Sequence, residues 1–158
     1  MRRFLLALPA LFVLATASQA QAQTITFTAA LHGGNEVPAV LTGAVGTGTV
    51  SVNLATQVVT YRIDVYNMPV GTTASHFHVG APGTAGPVVV NFTVATGISN
   101  DFAISGTASA TDLTARSAQG INSWEDFIQA LMLGNVYMNV HSTNNPGGEI
   151  RGQVVRVQ

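Results

Sequence analysis

From Thr24 onward the chain alternates apolar and polar residues with a period of two. Ile25, Phe27, Ala29 and Leu31 interleave with Thr24, Thr26, Thr28 and Ala30, the pattern of a strand with one face in a core and one in water. Val50, Val52 and Leu54 repeat it, and Asn53-Leu54-Ala55-Thr56 reads as a turn into a third strand, Val58 to Tyr66. There Val59, Tyr61, Ile63 and Val65 face inward while Thr60, Arg62 and Asp64 face outward. Ala74 to Val79, Val88 to Phe92, Phe102 to Ala110, Val136 to His141 and Glu149 to Val157 complete the set. Between them lie the punctuating segments Met68-Pro69-Val70-Gly71, Gly80-Ala81-Pro82-Gly83 and Asn145-Pro146-Gly147-Gly148, whose Pro and Gly cannot continue a ladder. About eight short strands at this spacing predict an all-β antiparallel sandwich or Greek-key barrel.

One segment changes period. Trp124, Phe127, Ile128 and Leu131 fall at i, i+3, i+4 and i+7, an apolar helical stripe. Ser123 and Asp126 form a capping-box pattern at its start, and Gly134 offers a left-handed stop. A short helix over about 123–133 is therefore expected to cover one open end of the barrel, with Trp124 as core packing. A further helical turn is expected over Asp112 to Ala118.

The N-terminus reads as an export leader. Arg2 and Arg3 precede the apolar run Phe4 to Ala15, and Ala20-Gln21-Ala22 fits the small-x-small cleavage rule, so residues 1–22 are expected to be a cleaved signal peptide. The run is shorter than the roughly 20 apolar residues of a spanning helix. A periplasmic or extracellular destination follows, with no membrane span in the remaining chain. Residues 23–158 are expected to form a single domain.

Charge narrows the partners. Beyond the leader, four arginines (Arg62, Arg116, Arg151, Arg156) stand against seven acids, a formal charge of −3, and there is no lysine. Nucleic acid and anionic membrane are poor partners for such a surface. A protein partner or a metal ion remains, neither specified by charge. The chain has no cysteine, so burial and sheet hydrogen bonds must stabilise it without disulfides.

Histidine carries the candidate chemistry. His76 and His78 flank Phe77 on one strand, and His141 ends another. Residues two apart on a strand share a face about 6.5–7 Å apart, so Phe77 and Val79 pack inward and His76 and His78 take the solvent side. His141 shares its face with Tyr137 and Asn139. If the two strands are neighbours, three imidazoles converge on one ion with bonds of about 2.0–2.1 Å. Nitrogen donors without thiolate suit Cu(II) or Zn(II). The competing reading is that the histidines hydrogen-bond to loop backbone and fix the Gly/Pro segments beside them. His32, beside Gly33-Gly34, is a weaker candidate. Glu36 is either a metal ligand or polar recognition group, or a loop anchor held by an ion pair or hydrogen bond, with Arg151 as a candidate partner.

Catalytic patterns are missing. Ser75 precedes His76, but adjacent strand residues face opposite ways. The chain has no Gly-x-Ser-x-Gly elbow, no obvious pair of facing carboxylates and no phosphate-binding glycine loop ahead of a helix.

Four separated motifs, in order, resemble the CHRD domain, a family named for the repeats in chordin. They are Asn35-Glu36-Val37-Pro38; His76-Phe77-His78 with Gly86-Pro87-Val88-Val89-Val90; Gly134-Asn135-Val136-Tyr137-Met138-Asn139-Val140-His141; and Pro146-Gly147-Gly148-Glu149-Ile150-Arg151-Gly152-Gln153. The resemblance runs from about Thr24 to Val157. It implies an immunoglobulin-like β-barrel related to copper/zinc superoxide dismutase, and no particular activity. In that enzyme two copper-binding histidines lie as His-x-His on one strand and another follows a Val-Val run, positions that His76, His78 and His141 resemble. The chain lacks a histidine between His78 and His141 to bridge copper and zinc, a zinc loop and the structural disulfide. Arg151, the nearest counterpart of the substrate-guiding arginine, does not match that motif. The expectation is a non-enzymatic binding or structural module, with a mononuclear copper or zinc site at His76, His78 and His141 as the alternative.

Overall fold

The computed structural model describes residues 23–158; the expected signal peptide, 1–22, lies outside them. Nine strands form: β1 Thr24–His32, β2 Val45–Asn53, β3 Val59–Met68, β4 Thr72–Val79, β5 Val88–Asn91, β6 Asn100–Ala108, β7 Val136–Ser142, β8 Ile150–Gln153 and β9 Val155–Arg156. Eight of them follow the order β5-β4-β7-β8-β1-β2-β3-β6, with β9 pairing β1 beside that path. Every pairing is antiparallel, and the sheet curls into a nearly closed barrel. The connections β3–β4 and β6–β7 join strands that are not neighbours, which is Greek-key winding rather than a meander.

The inward residues of the alternating pattern make the core. Phe27, Leu31, Val52, Val59, Ile63, Val65, Phe77, Met138, Val140 and Ile150 are fully buried. Phe77 sits among Tyr61, Phe92 and Phe127, with ring centroids 5.9, 4.7 and 5.6 Å away, in the edge-on and tilted geometries that aromatic quadrupoles favour. The helix, α1 (Trp124–Met132), starts where Ser123 and Asp126 form the expected capping box. Its Phe127 and Leu131 join the core, and Trp124 donates its indole N–H to Gln57 O at 2.7 Å. Trp124 is thus a core residue with its one polar atom satisfied.

Three expectations need correction. The segment 112–118 does not form a helical turn as a unit; two 3-10 turns, Ala110–Asp112 and Ser117–Gln119, flank extended residues there. Leu113 and Arg116 in this stretch serve the edge strand instead, through a Val90–Leu113 bridge and an Arg116 Nε–H bond to Val88 O of 2.7 Å. The last strand breaks at Val154, which turns inward and is fully buried while Val155 and Arg156 continue on β1. Strand β2 starts at Val45 rather than near Val50, because Gly46 and Gly48 belong to it. A Cβ at Gly48 would run into Met138 Sδ, so side chains from other strands fill the space that apolar residues occupy elsewhere in the pattern.

Candidate metal centre

Strands β4 and β7 are hydrogen-bonded neighbours, with His76 opposite Asn139, His78 opposite Tyr137 and Ala74 opposite His141. The condition that the sequence left open is met. Because Phe77, Met138 and Val140 take the core face, the same pleat sends His76, His78, Tyr137, Asn139 and His141 to the outer face, and β8 adds Arg151, opposite Asn139. That face is not solvated as expected. His78 and His141 are 7% and 8% exposed and Asn139 1%, while His76 is half-buried. Loops from residues 33–44, 80–87 and 143–149 roof it, tied down by Asn35 Nδ2–H to Arg151 O (3.0 Å), Arg151 Nη2–H to Thr84 O (2.7 Å) and Gln153 Nε2–H to Gly80 O (3.0 Å).

The roof also fixes the histidine tautomers. His78 Nδ1 lies 2.8 Å from Gly86 O, and His141 Nδ1 lies 2.8 Å from Pro146 O. A carbonyl oxygen only accepts, so each Nδ1 carries the proton and each neutral ring presents an Nε2 lone pair inward. His76 Nδ1 stands 3.0 Å from His141 Nε2, and ligand atoms of the three rings lie within 4.8 Å of one another. Burial pushes all three imidazoles below their ordinary pKa. It is the largest cause for each; His76, which also feels His141 and His78, falls to about 4. At neutral pH the rings are uncharged and free to ligate. The two readings of these histidines are therefore compatible: one nitrogen anchors a loop, and the other faces the cluster. A ring N–H held by a backbone carbonyl is also the usual outer support of a metal-bound histidine.

A stacked column stands behind His78. Tyr137 lies flat against it, with centroids 4.7 Å apart and planes 8° apart, and the Arg151 guanidinium carbon sits 3.4 Å from the centroid of the Tyr137 ring. The Tyr137 hydroxyl donates to Gly86 O at 3.1 Å and accepts from Gly86 N at 3.0 Å. Gly86 is confined to this role by space, since a Cβ there would overlap Val79 O. Arg151 is thus a packing cation over Tyr137. The sequence placed Tyr137 and Asn139 on the His141 face without giving either a task; the signal was the period-two spacing itself.

Glu36 and His32 are not among the clustered ligands. His32 is exposed at the end of β1. Glu36 does not pair with Arg151; among the described residues the one ion pair is Arg62–Asp64. Its side chain is 9% exposed, Oε1 is buried with no hydrogen-bond partner, and its carboxyl fills the space a Cβ on Gly148 would need. Glu149 is held by Ser142 Oγ–H (2.6 Å) and Asn145 Nδ2–H (2.5 Å). A cleft of about 450 Å³ beside the end of α1 contains none of the cluster residues.

Burial raises the Glu36 carboxyl from 4.5 to about 7, with Arg151 opposing and Glu149 adding to the rise. A carboxyl that binds its proton more tightly in the folded state adds stability below about pH 4.5 and loses it as pH climbs through about 7. Glu36→Gln should remove that loss. Denaturant unfolding at pH 5 and pH 8 is expected to show the variant gaining about 1–2 kcal/mol on wild type at the higher pH, after allowance for solvent at the cleft wall.

Together these features define an antiparallel β-barrel protein that holds a buried, neutral three-histidine cluster under its loops. The CHRD domain model matches residues 27–154, and the chain belongs to the CHRD domain family. Comparisons with curated proteins and with solved structures gave no significant match.

Proposed function

We propose that this CHRD domain is a metal-binding module, exported on its N-terminal leader, that takes one copper or zinc ion through His76, His78 and His141. The observation that carries the reading is the orientation of His78 and His141. Each spends its Nδ1–H on a roof carbonyl and leaves an unprotonated Nε2, that of His141 facing His76 Nδ1 at 3.0 Å and that of His78 facing the Asn139 side chain at 3.1 Å. Imidazole donors without thiolate suit Cu(II) and Zn(II). Binding rather than catalysis is inferred because the chain carries no second, bridging histidine and no recognisable nucleophile. A second reading, that the cluster is a hydrogen-bonded clasp for the loops, draws on the same Gly86 and Pro146 contacts.

Calorimetric titration of the purified, chelator-treated protein with Cu(II) and with Zn(II) at pH 7 separates the two. The metal reading expects one ion per chain at micromolar affinity or better, about −8 kcal/mol. Heats no larger than those of buffer would leave the clasp.

A further inference from the structure

Resting on that metal-binding reading, we propose that Asn139 supplies the fourth donor, its side-chain Oδ1, so that the ion is held by three imidazole nitrogens and one amide oxygen. Asn139 lies directly opposite His76 and two residues before His141 on the same face, and it is 1% exposed. Ser75 Oγ–H holds its backbone carbonyl at 2.6 Å, which fixes the point from which the side chain projects. Its Oδ1 lies 3.1 Å from His78 Nε2 and 3.1 Å from His141 Nε2.

Those distances are the core of the argument. Both Nε2 atoms are lone-pair acceptors, because both Nδ1 protons are committed to carbonyls. An amide oxygen facing two such nitrogens places three acceptors together with no hydrogen between them, an arrangement that a cation resolves. The alternative is rotation of the carboxamide about its last torsion, which exchanges oxygen and nitrogen. The NH₂ group then donates to His78 Nε2 and shares the single lone pair of His141 Nε2 with His76 Nδ1–H. One residue thus serves two states: a donor that fills the cluster without metal, and an oxygen ligand with it. Ion binding requires only that the amide turn and the rings close slightly. Bonds of about 2.0–2.1 Å span at most about 4.2 Å between opposite donors, against separations of up to 4.8 Å here.

An amide in place of a carboxylate also keeps the donor set uncharged. That predicts a specific response: Asn139→Asp keeps an oxygen at the same reach and adds a negative charge beside a divalent ion. A purely structural Asn139 predicts the reverse, since aspartate cannot donate hydrogens to two imidazoles and would be buried as an unpaired charge.

The test compares wild type, Asn139→Ala and Asn139→Asp, each chelator-treated, by Zn(II) calorimetry and by the visible spectrum of the Co(II)-loaded protein, with circular dichroism as the check on folding. Expected are Zn(II) binding about 10-fold or more weaker in Asn139→Ala, with a shifted Co(II) spectrum, and binding as tight as wild type or tighter in Asn139→Asp. An alanine variant with wild-type affinity and spectrum would overturn the proposal while leaving the three-histidine site standing. So would an aspartate variant weaker than the alanine one. If Asn139→Ala does not fold, the aspartate variant decides against wild type: tighter binding supports the oxygen ligand and weaker binding overturns it. Absence of binding in wild type overturns the metal reading itself, and the assignment of Asn139 with it.

Discussion

His141→Ala is expected to weaken Cu(II) or Zn(II) binding on the order of 100-fold, while His32→Ala leaves it unchanged. His141 is the hub of the cluster. Its Nε2 is 3.0 Å from His76 Nδ1 and 3.1 Å from Asn139 Oδ1, and its Nδ1–H ties the ring to Pro146 O at 2.8 Å. Alanine removes a donor and also one of the bonds that hold the 143–149 loop, the one to Pro146 O. The loop keeps other anchors, because Glu149 is held by Ser142 and Asn145, and Thr143 N–H reaches Gly71 O at 3.0 Å. The barrel core does not include His141, so the fold should survive the substitution. His32, exposed at the end of β1 and not among the clustered ligands, controls for non-specific imidazole binding. Parallel calorimetric titrations of the two variants check the contrast; equal losses would mean that surface histidines bind the metal.

The second large effect is expected at a residue with no side chain. Gly86→Ala should cost about 2–4 kcal/mol of stability in denaturant unfolding and weaken metal binding as well. Its Cβ would overlap Val79 O, a backbone atom that cannot swing aside. The 80–87 loop must therefore lift, and Gly86 O leaves both His78 Nδ1 and the Tyr137 hydroxyl. His78 loses the bond that fixes its tautomer, and the Tyr137–Arg151 stack loses its anchor. Gly83→Ala in the same loop is the comparison. Gly83 has φ of +75° and nothing within 4 Å of its added Cβ, so only backbone strain of about 1 kcal/mol is expected and the site should be unaffected. Similar losses in both variants would show that loop flexibility, not the seating of Gly86, supports the cluster.

Much of this architecture was legible because one physical rule governs it. Strict alternation in β1 and β3 assigned faces residue by residue, and Ser123 with Asp126 marked the start of α1 from local hydrogen-bond chemistry alone. The same alternation put His76, His78 and His141 on outer faces. What it could not show was neighbourhood: strand order depends on packing between distant segments, so β4 beside β7 was a condition and not a deduction. Nor could it show the roof. The Gly/Pro segments read as turns, whereas they fold back over the sheet and bury most of an expected solvent face. Glu36 and Arg151 illustrate the limit for charge. Their pairing was reasonable from sequence, but Arg151 is engaged by Tyr137 and Thr84, and Glu36 is left with an unpartnered oxygen. In β2, Gly46 and Gly48 erased the apolar signal because side chains from other strands fill their places.

The central claim is that three inward-turned imidazoles hold one ion, and the most direct test is to count them. In the one-equivalent Cu(II) complex, pulsed electron paramagnetic resonance of wild type and the three single His→Ala variants reports the coupled imidazole nitrogens. Three in wild type, falling to two in His76→Ala, His78→Ala and His141→Ala alike, is the predicted result. A wild-type count of one or none, or a spectrum unmoved by all three substitutions, would contradict the account and leave the cluster as a clasp for the loops above it.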